Sequence, residues 1–400
     1  MTDVDPLTLL FDPLTATNPH TAYAQMRDNC PVARAPGFAG GSAVYVTRYD
    51  DVLWALRHPE VFSSSAEAIA LGQEAPLIPL QVDPPEHAKY RRLLDPEFSP
   101  KRMEELEPDV RALTNAIIDR FADRGGCDFH EDFATPYPST IFLRLMGLPQ
   151  DDLEQFLQWR DNTIRPDVDP GDVEGATRIR EEAGHAITAY FEAAVDRARS
   201  QPETPDLLSR LVYGEMEGRP LTRDELLGTC HLMLLGGLDT VTATLDCMIA
   251  YLAAHPDRRA ALAADPELAA SAIEELLRSE TPVMAVPRII KADHEMRGTK
   301  IEAGDHAVLV LGAANTDGDE FADAESVVLE RETNRHLAFG GGPHRCLGSH
   351  LARLELRVAL EEFHRRIPDY HIPAGTELAY SPGIRQADHI PLVFGPDPTA

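Results

Sequence analysis

Phe339-Gly340-Gly341-Gly342-Pro343-His344-Arg345-Cys346-Leu347-Gly348 is a glycine-rich loop that runs straight into an amphipathic segment. Glycines let backbone N–H groups turn inward toward a sulfur, and a helix start adds partial positive charge, so both features lower a thiol pKa and stabilise a metal-bound thiolate. A thiolate poised like this suits iron. Two plainer readings stand beside it: a buried cysteine is usually a small hydrophobe, and Gly-Gly-Gly-Pro is usually a turn. Zinc is a poor second, since His336, His344, Cys346 and His350 include no Cys-x-x-Cys or His-x-x-x-His half-site. A dinucleotide fingerprint is excluded because no strand run precedes the glycines and no acidic residue follows at the required distance.

The 400 residues, 43% of them hydrophobic, are ample for a large core. Short proline-rich patches at 78–85, 165–171 and 201–205 lie between helical patterns and read as loops, so one catalytic unit spanning 1–400 is expected. Five scattered cysteines, Cys30, Cys127, Cys230, Cys247 and Cys346, suit a reducing cytoplasm better than a disulfide framework. The acidic, proline-broken stretch 1–14 resembles neither a signal peptide nor a membrane anchor, and a cytoplasmic protein is expected. A formal charge of −29 argues against nucleic acid and anionic lipid as partners. Basic residues nonetheless gather at Lys89, Arg91, Arg92, Lys101 and Arg102, and around the loop at Arg335, Arg345, Arg353 and Arg357. They are either scattered ion pairs or a local positive face for an acidic protein.

Helical periodicity dominates, predicting helices over 19–28, 50–56, 85–93, 103–124, 138–146, 151–163, 173–200, 223–254, 256–264, 266–278 and 347–366. Strands are expected only at 43–47, 288–292, 306–311 and 392–394, which makes the fold mainly α with small β-sheets. Within 223–254, Gly236 and Gly237 occupy positions where Ala or Leu would be better by about 1 kcal/mol each. Their gain is space for a flat cofactor or O2 close to the backbone, although close helix packing is the commoner reason for such a pair. The Thr240 hydroxyl can bond back to the Gly236 carbonyl and bend the helix, and Asp239 beside it can exchange protons. Further upstream, Asp83-Pro84-Pro85-Glu86-His87-Ala88-Lys89-Tyr90-Arg91 starts a helix with His87 and Arg91 on one face. Glu275 and Arg278 stand at i and i+3, a spacing that is most often a surface ion pair.

Together these segments resemble the cytochrome P-450 family, whose haem-ligand loop the ten residues around Cys346 match and whose likeness covers nearly the whole length. The resemblance implies haem b between the oxygen-binding helix and the helix after the cysteine, with Cys346 as iron ligand and Phe339 and Gly348 shaping its loop. It implies that Asp239 and Thr240 organise proton delivery to dioxygen above Gly236 and Gly237. Glu275, Arg278 and Arg331 would form a structural network behind the loop, and His87, Arg91, Arg288 and His344 would hold the propionates. By the same likeness the substrate pocket would be lined by Leu77, Ile78, Leu232, Leu235, Val283, Met284, Val286 and Ile384, an apolar set suited to a terpenoid, steroid, fatty acid or aromatic compound. Arg385, next to Ile384, would either pair with a substrate carboxylate or face solvent.

The expected reaction is monooxygenation of a hydrophobic molecule by a monomer, with electrons from NAD(P)H through a separate iron–sulfur ferredoxin. That ferredoxin would dock on Lys89, Arg91, Arg92, Arg335, Arg345 and Arg353. A haem-containing sensor is the alternative in another class, against which Asp239 and Thr240 argue; a peroxygenase is a third.

Overall fold

The computed structural model describes residue 10 and residues 12–37, 42–169 and 171–395. Most of the stretch 1–14, read above for a leader, lies outside them. The described chain is mainly helical; the expected helices appear in order with ends shifted by a few residues, and Pro13–Thr17, Leu207–Tyr213 and Leu311–Asn315 are additional ones.

The largest departure lies in the long apolar segment. Instead of one helix over 223–254 there are two, Arg223–Leu238 and Thr240–Ala254, broken at Asp239, whose φ and ψ are −113° and −46°. The first starts with a capping box in which Glu225 N–H donates to the Thr222 hydroxyl and Thr222 N–H donates to the Glu225 carboxylate. At the break, hydroxyls intrude on the backbone: Thr240 Oγ1 donates to Gly236 O at 3.1 Å and Thr242 Oγ1 to Leu238 O at 3.2 Å. This pair is long and apolar enough to cross a membrane by composition, yet it runs through the core.

Five strands form the main sheet in the spatial order Val32–Pro36, Ser42–Val46, His306–Leu309, Val286–Ile290 and Phe62–Ser63. Only the central pairing, His306–Leu309 with Ser42–Val46, is parallel. The strand Val32–Pro36 escaped the sequence because it is a short edge bounded by Pro31 and Pro36, where missing N–H groups do no harm. The expected strand 306–311 stops at Leu309 because a short helix, Leu311–Asn315, follows.

A cluster containing Leu234, Leu235 and Leu238 also takes in Leu347 and Leu351 at its border. The start of the helix Ser349–Arg366 and the glycine-bearing helix therefore share one apolar layer. That layer sets the cysteine loop opposite the helix break.

Candidate haem and oxygen site

The loop is shaped by its glycines and closed by one backbone bond. Gly340 and Gly342 have φ of +67° and +64°, a region that favours glycine. At Gly342 a Cβ would also lie 2.2 Å from Leu56 O, so no other residue fits there without moving the neighbouring helix. Cys346 N–H donates to Phe339 O at 2.8 Å, which fixes the cysteine against the first residue of the loop.

The Cys346 side chain is open, although protein atoms surround it on most sides, as befits the wall of an internal cleft. Contrary to the sequence expectation, its thiol pKa lies above the ordinary value. Burial raises it, outweighing the Gly348 N–H and the charges of Arg91, Arg345 and Arg353. A bound metal ion supplies the missing charge and deprotonates a coordinating thiol outright.

Across the layer, Leu232, Gly236 and Thr240 keep exposed surface, as does Gly237, in a stretch whose other residues from 231 to 240 are buried. The four-residue spacing of the first three puts them on one face. The two glycines divide the roles that the sequence left undecided between them. A Cβ on Gly236 would meet nothing within 4 Å, whereas one on Gly237 would lie 2.8 Å from Phe142 Cδ2. Gly236 keeps the cleft clear; Gly237 is there for helix packing.

Asp239 is fully buried. Arg165 grips its carboxylate with both terminal nitrogens, one of them 3.1 Å from Oδ2, and Arg160 Nε stands 3.8 Å away. Both arginines also reach Asp161, whose side chain is 45% exposed, so the carboxylate connects through charged groups to the surface. Neither arginine was legible beforehand, because 74 residues separate Arg165 from Asp239 in the chain.

Behind the loop, the expected trio is assembled. Arg278 and Glu275 are both 0% exposed, with Arg278 Nε 2.8 Å and Arg331 Nε 2.9 Å from Glu275 Oε2. Asn334 Nδ2 and Val328 N–H complete the carboxylate's shell. Arg278 spends its remaining N–H groups on the carbonyls of Asn315, Ala324 and Ser326. Burial alone would raise the Glu275 carboxyl; the two arginines outweigh it and hold the pKa below its usual range.

The anion-binding expectation fits three of its four residues. His87 and Arg288 are buried at 3% and 6% exposure, and the His87 and His344 rings lie 4.4 Å apart. Neither ring nitrogen of His344 has a hydrogen bond, and the one nearby carboxylate, Asp83, is 3.6 Å away. Burial, with Arg288 and His87 adding to it, pushes His344 down to about 3, and burial pushes Arg288 down to about 10. Such a nest of mutually repelling, under-bonded donors fits a group that brings its own carboxylates, as haem does with its propionates. Arg91 differs: it donates to Asp95 Oδ1 at 2.7 Å and to Arg345 O at 2.6 Å, bracing the cysteine loop. Asp83, held by the Ser63 hydroxyl and Ser64 N–H, is a member of this cluster that sequence reasoning missed.

The expected pocket lining is partly corrected. Val283 and Ile384 face each other across an antiparallel bridge and, like Leu232 and Val286, keep exposed surface. Leu77 and Met284 are 0% exposed and belong to core clusters, while Ile78 and Leu235 show only 6% and 7%. Met284 packs instead into the core cluster that contains Tyr45 and Val308. Burial and pairing overturn both readings of Arg385. It is buried, with Nη1 2.5 Å from Glu280 Oε2, Nε 2.6 Å from Ala16 O, and its guanidinium 4.4 Å over the Tyr380 ring. Only 5% of its surface is exposed.

Comparison with known proteins agrees with this geometry. The Cytochrome P450 family model matches residues 38–366. The chain is 35% identical over 386 residues to the steroid C26-monooxygenase of Mycobacterium tuberculosis, covering 94% of each protein. It is 32% identical over 397 residues to the vitamin D(3) 25-hydroxylase of Pseudonocardia autotrophica, covering 97% of this chain and 96% of that one. The crystal structure of CYP109E1 from Bacillus megaterium in complex with testosterone superposes with a TM-score of 0.88 at 29% identity, covering 96% of this chain and 99% of that one. A likeness of this extent, over a fold that carries an open cysteine, a cleared helix face and a nest of buried donors, has one reading: the chain belongs to the cytochrome P450 family and is a monooxygenase.

Proposed function

We propose that the protein hydroxylates a large, uncharged, apolar molecule of the steroid type, with electrons from NAD(P)H delivered by a separate ferredoxin. The observation that carries the substrate class is the position of Arg385. The cation expected at the apolar wall of Leu232, Val283, Val286 and Ile384 is consumed by Glu280, which removes that anchor for a fatty-acid carboxylate. The relatives named for steroid and vitamin D oxidation, and the structure solved with testosterone, support the same class.

Haem bound against Cys346 supplies the activation of dioxygen and the electron-rich thiolate push. The chain's own residues then have separable tasks. Gly236 leaves room beside the backbone. Thr240 presents its hydroxyl oxygen to the cleft while its proton is engaged by Gly236 O, so the oxygen can accept a further hydrogen bond. Asp239, reached through Arg165 and Asp161, supplies the protonatable carboxylate next to it. The apolar wall orients the substrate and excludes water.

For the ferredoxin, the strongest docking groups are Arg345 and Arg92. Arg345 is exposed on the cysteine loop with no ion pair among the described residues, and the Arg92 side chain is 66% exposed, with Glu217 only at 3.9 Å. The other cations expected on that face are neutralised locally, Lys89 by Glu86 and Glu217, Arg91 by Asp95, Arg335 by Glu320 and Arg353 by Glu274.

Titrating sterols, steroids and fatty acids against the ferric protein, with the haem spin-state shift as readout, tests the substrate class. Steroids are expected to bind more tightly than fatty acids of similar size; the opposite order would defeat the reading. Charge reversal at Arg92 is expected to weaken ferredoxin-supported turnover in a salt-dependent way, with the haem spectrum unchanged.

A further inference from the structure

Glu274 and Glu275 are adjacent, yet they serve different partners. Glu275 turns to Arg278 and Arg331, whereas Glu274 receives Arg353 Nε and Nη2, both at 2.7 Å, and lies 3.0 Å from His336 Nε2. Burial would raise the Glu274 carboxyl, but these two partners outweigh it and hold it at about 2. The Arg353 guanidinium sits 4.4 Å over the Phe339 ring. From the other direction, the His336 ring lies 5.9 Å from Phe339, and His336 Nδ1 accepts the Ala338 N–H at 3.2 Å. Phe339 in turn accepts the Cys346 N–H through its carbonyl. One carboxylate thus holds two side chains that bracket the residue bonded directly to the ligand cysteine.

We propose that Glu274 is a positioning residue that clamps Arg353 and His336 about Phe339 and, by neutralising Arg353, sets how strongly the Cys346 thiolate donates to iron. The inference rests on the haem-thiolate reading above. It assigns Arg353, expected from the sequence as part of the ferredoxin face, to the cysteine loop. A bidentate arginine–carboxylate pair fixes orientation as well as charge, and a guanidinium over an aromatic face adds attraction. Arg353 is also among the charges felt at the Cys346 sulfur. Removing the Glu274 charge leaves Arg353 uncompensated, which stabilises the extra negative charge of the reduced iron–thiolate centre; removing Arg353 leaves Glu274 uncompensated and does the reverse.

The test is potentiometry on haem-loaded Glu274→Gln, Arg353→Gln and the double variant, each first checked for the red-shifted CO band that reports thiolate ligation. The midpoint potential is expected to rise in Glu274→Gln, fall in Arg353→Gln and return close to the parent value in the double variant. A purely structural role predicts loss of haem or of the CO band without opposed shifts. Unchanged potentials, single-variant shifts of one sign, or a double variant far from the parent value would overturn the proposal. If a neutral variant does not retain haem, Arg353→Lys decides, because it keeps the charge and loses the fork. A near-parent potential with altered low-spin ferric EPR g values supports the clamp, and unchanged g values refute it. Absence of the CO band in the unaltered protein would sink the haem-thiolate reading itself, an outcome separate from these.

Discussion

Asp239 and Thr240 are consecutive residues that face different surroundings: the Asp239 carboxylate is sealed at 0% exposure under Arg165, and the Thr240 hydroxyl bonds to Gly236 O on the open stripe of the helix. The helix break between their two helical segments makes this possible. Charge is stored on one side and presented as a hydroxyl on the other.

Substitution at the two positions should therefore have different signatures. Asp239→Asn keeps the shape and removes the titratable group, so turnover is expected to fall by about 100-fold, the lower end of what a positioned acid–base group contributes, with the CO band intact. Thr240→Ala should leave O2 consumption substantial while the product formed per O2 drops. Measuring NAD(P)H, O2 and product in one assay separates them; an unchanged product-to-O2 ratio in Thr240→Ala would contradict the assignment.

Alanine at the two glycines should move stability in opposite directions. At Gly236 the new methyl meets open space, so the helix should gain up to about 1 kcal/mol while large ligands bind less well. At Gly237 it meets Phe142, and overpacking of about 1–3 kcal/mol should equal or exceed the propensity gain. Denaturant melts with ligand titrations read both, and equal effects at the two sites would remove the division of roles.

Arg278→Lys should unload haem despite keeping the charge. A lysine cannot reproduce a fork that bonds Glu275 twice and three backbone carbonyls besides. Each buried carbonyl left without a donor costs about 1–3 kcal/mol. The haem-to-protein ratio after purification checks this, and a fully loaded, equally stable variant would show the network to be dispensable.

Arg385→Ala should lower stability by about 3–5 kcal/mol, because Glu280 is left buried without its partner. Affinity for acidic and neutral ligands should change alike. A selective loss of affinity for carboxylates, measured by spin-state titration, would return Arg385 to the substrate.

The loop around Cys346, the hydroxyl four residues after Gly236 and the Glu275–Arg278 pair were legible because each depends on short-range spacing. A left-handed turn needs glycine, a helix brings i and i+4 together, and i,i+3 charges meet on one face. Asp239's partners, the His344–Asp83 contact and the Glu274–Arg353–Phe339 bracket were not, since their members lie tens of residues apart and meet only when layers pack. The same limit explains Arg385 and Met284: apolar or charged character was plain, but their packing partners, Glu280 for one and the cluster around Tyr45 for the other, come from segments distant in the chain. By itself, then, the sequence determined the helix-rich class and the short motifs that carry the family resemblance, because these rest on local spacing. Tertiary structure alone decided which charged neighbours pair with Asp239, Glu274 and Arg385 and which of the apolar side chains are sealed in the core, because burial and pairing arise only between segments distant in the chain.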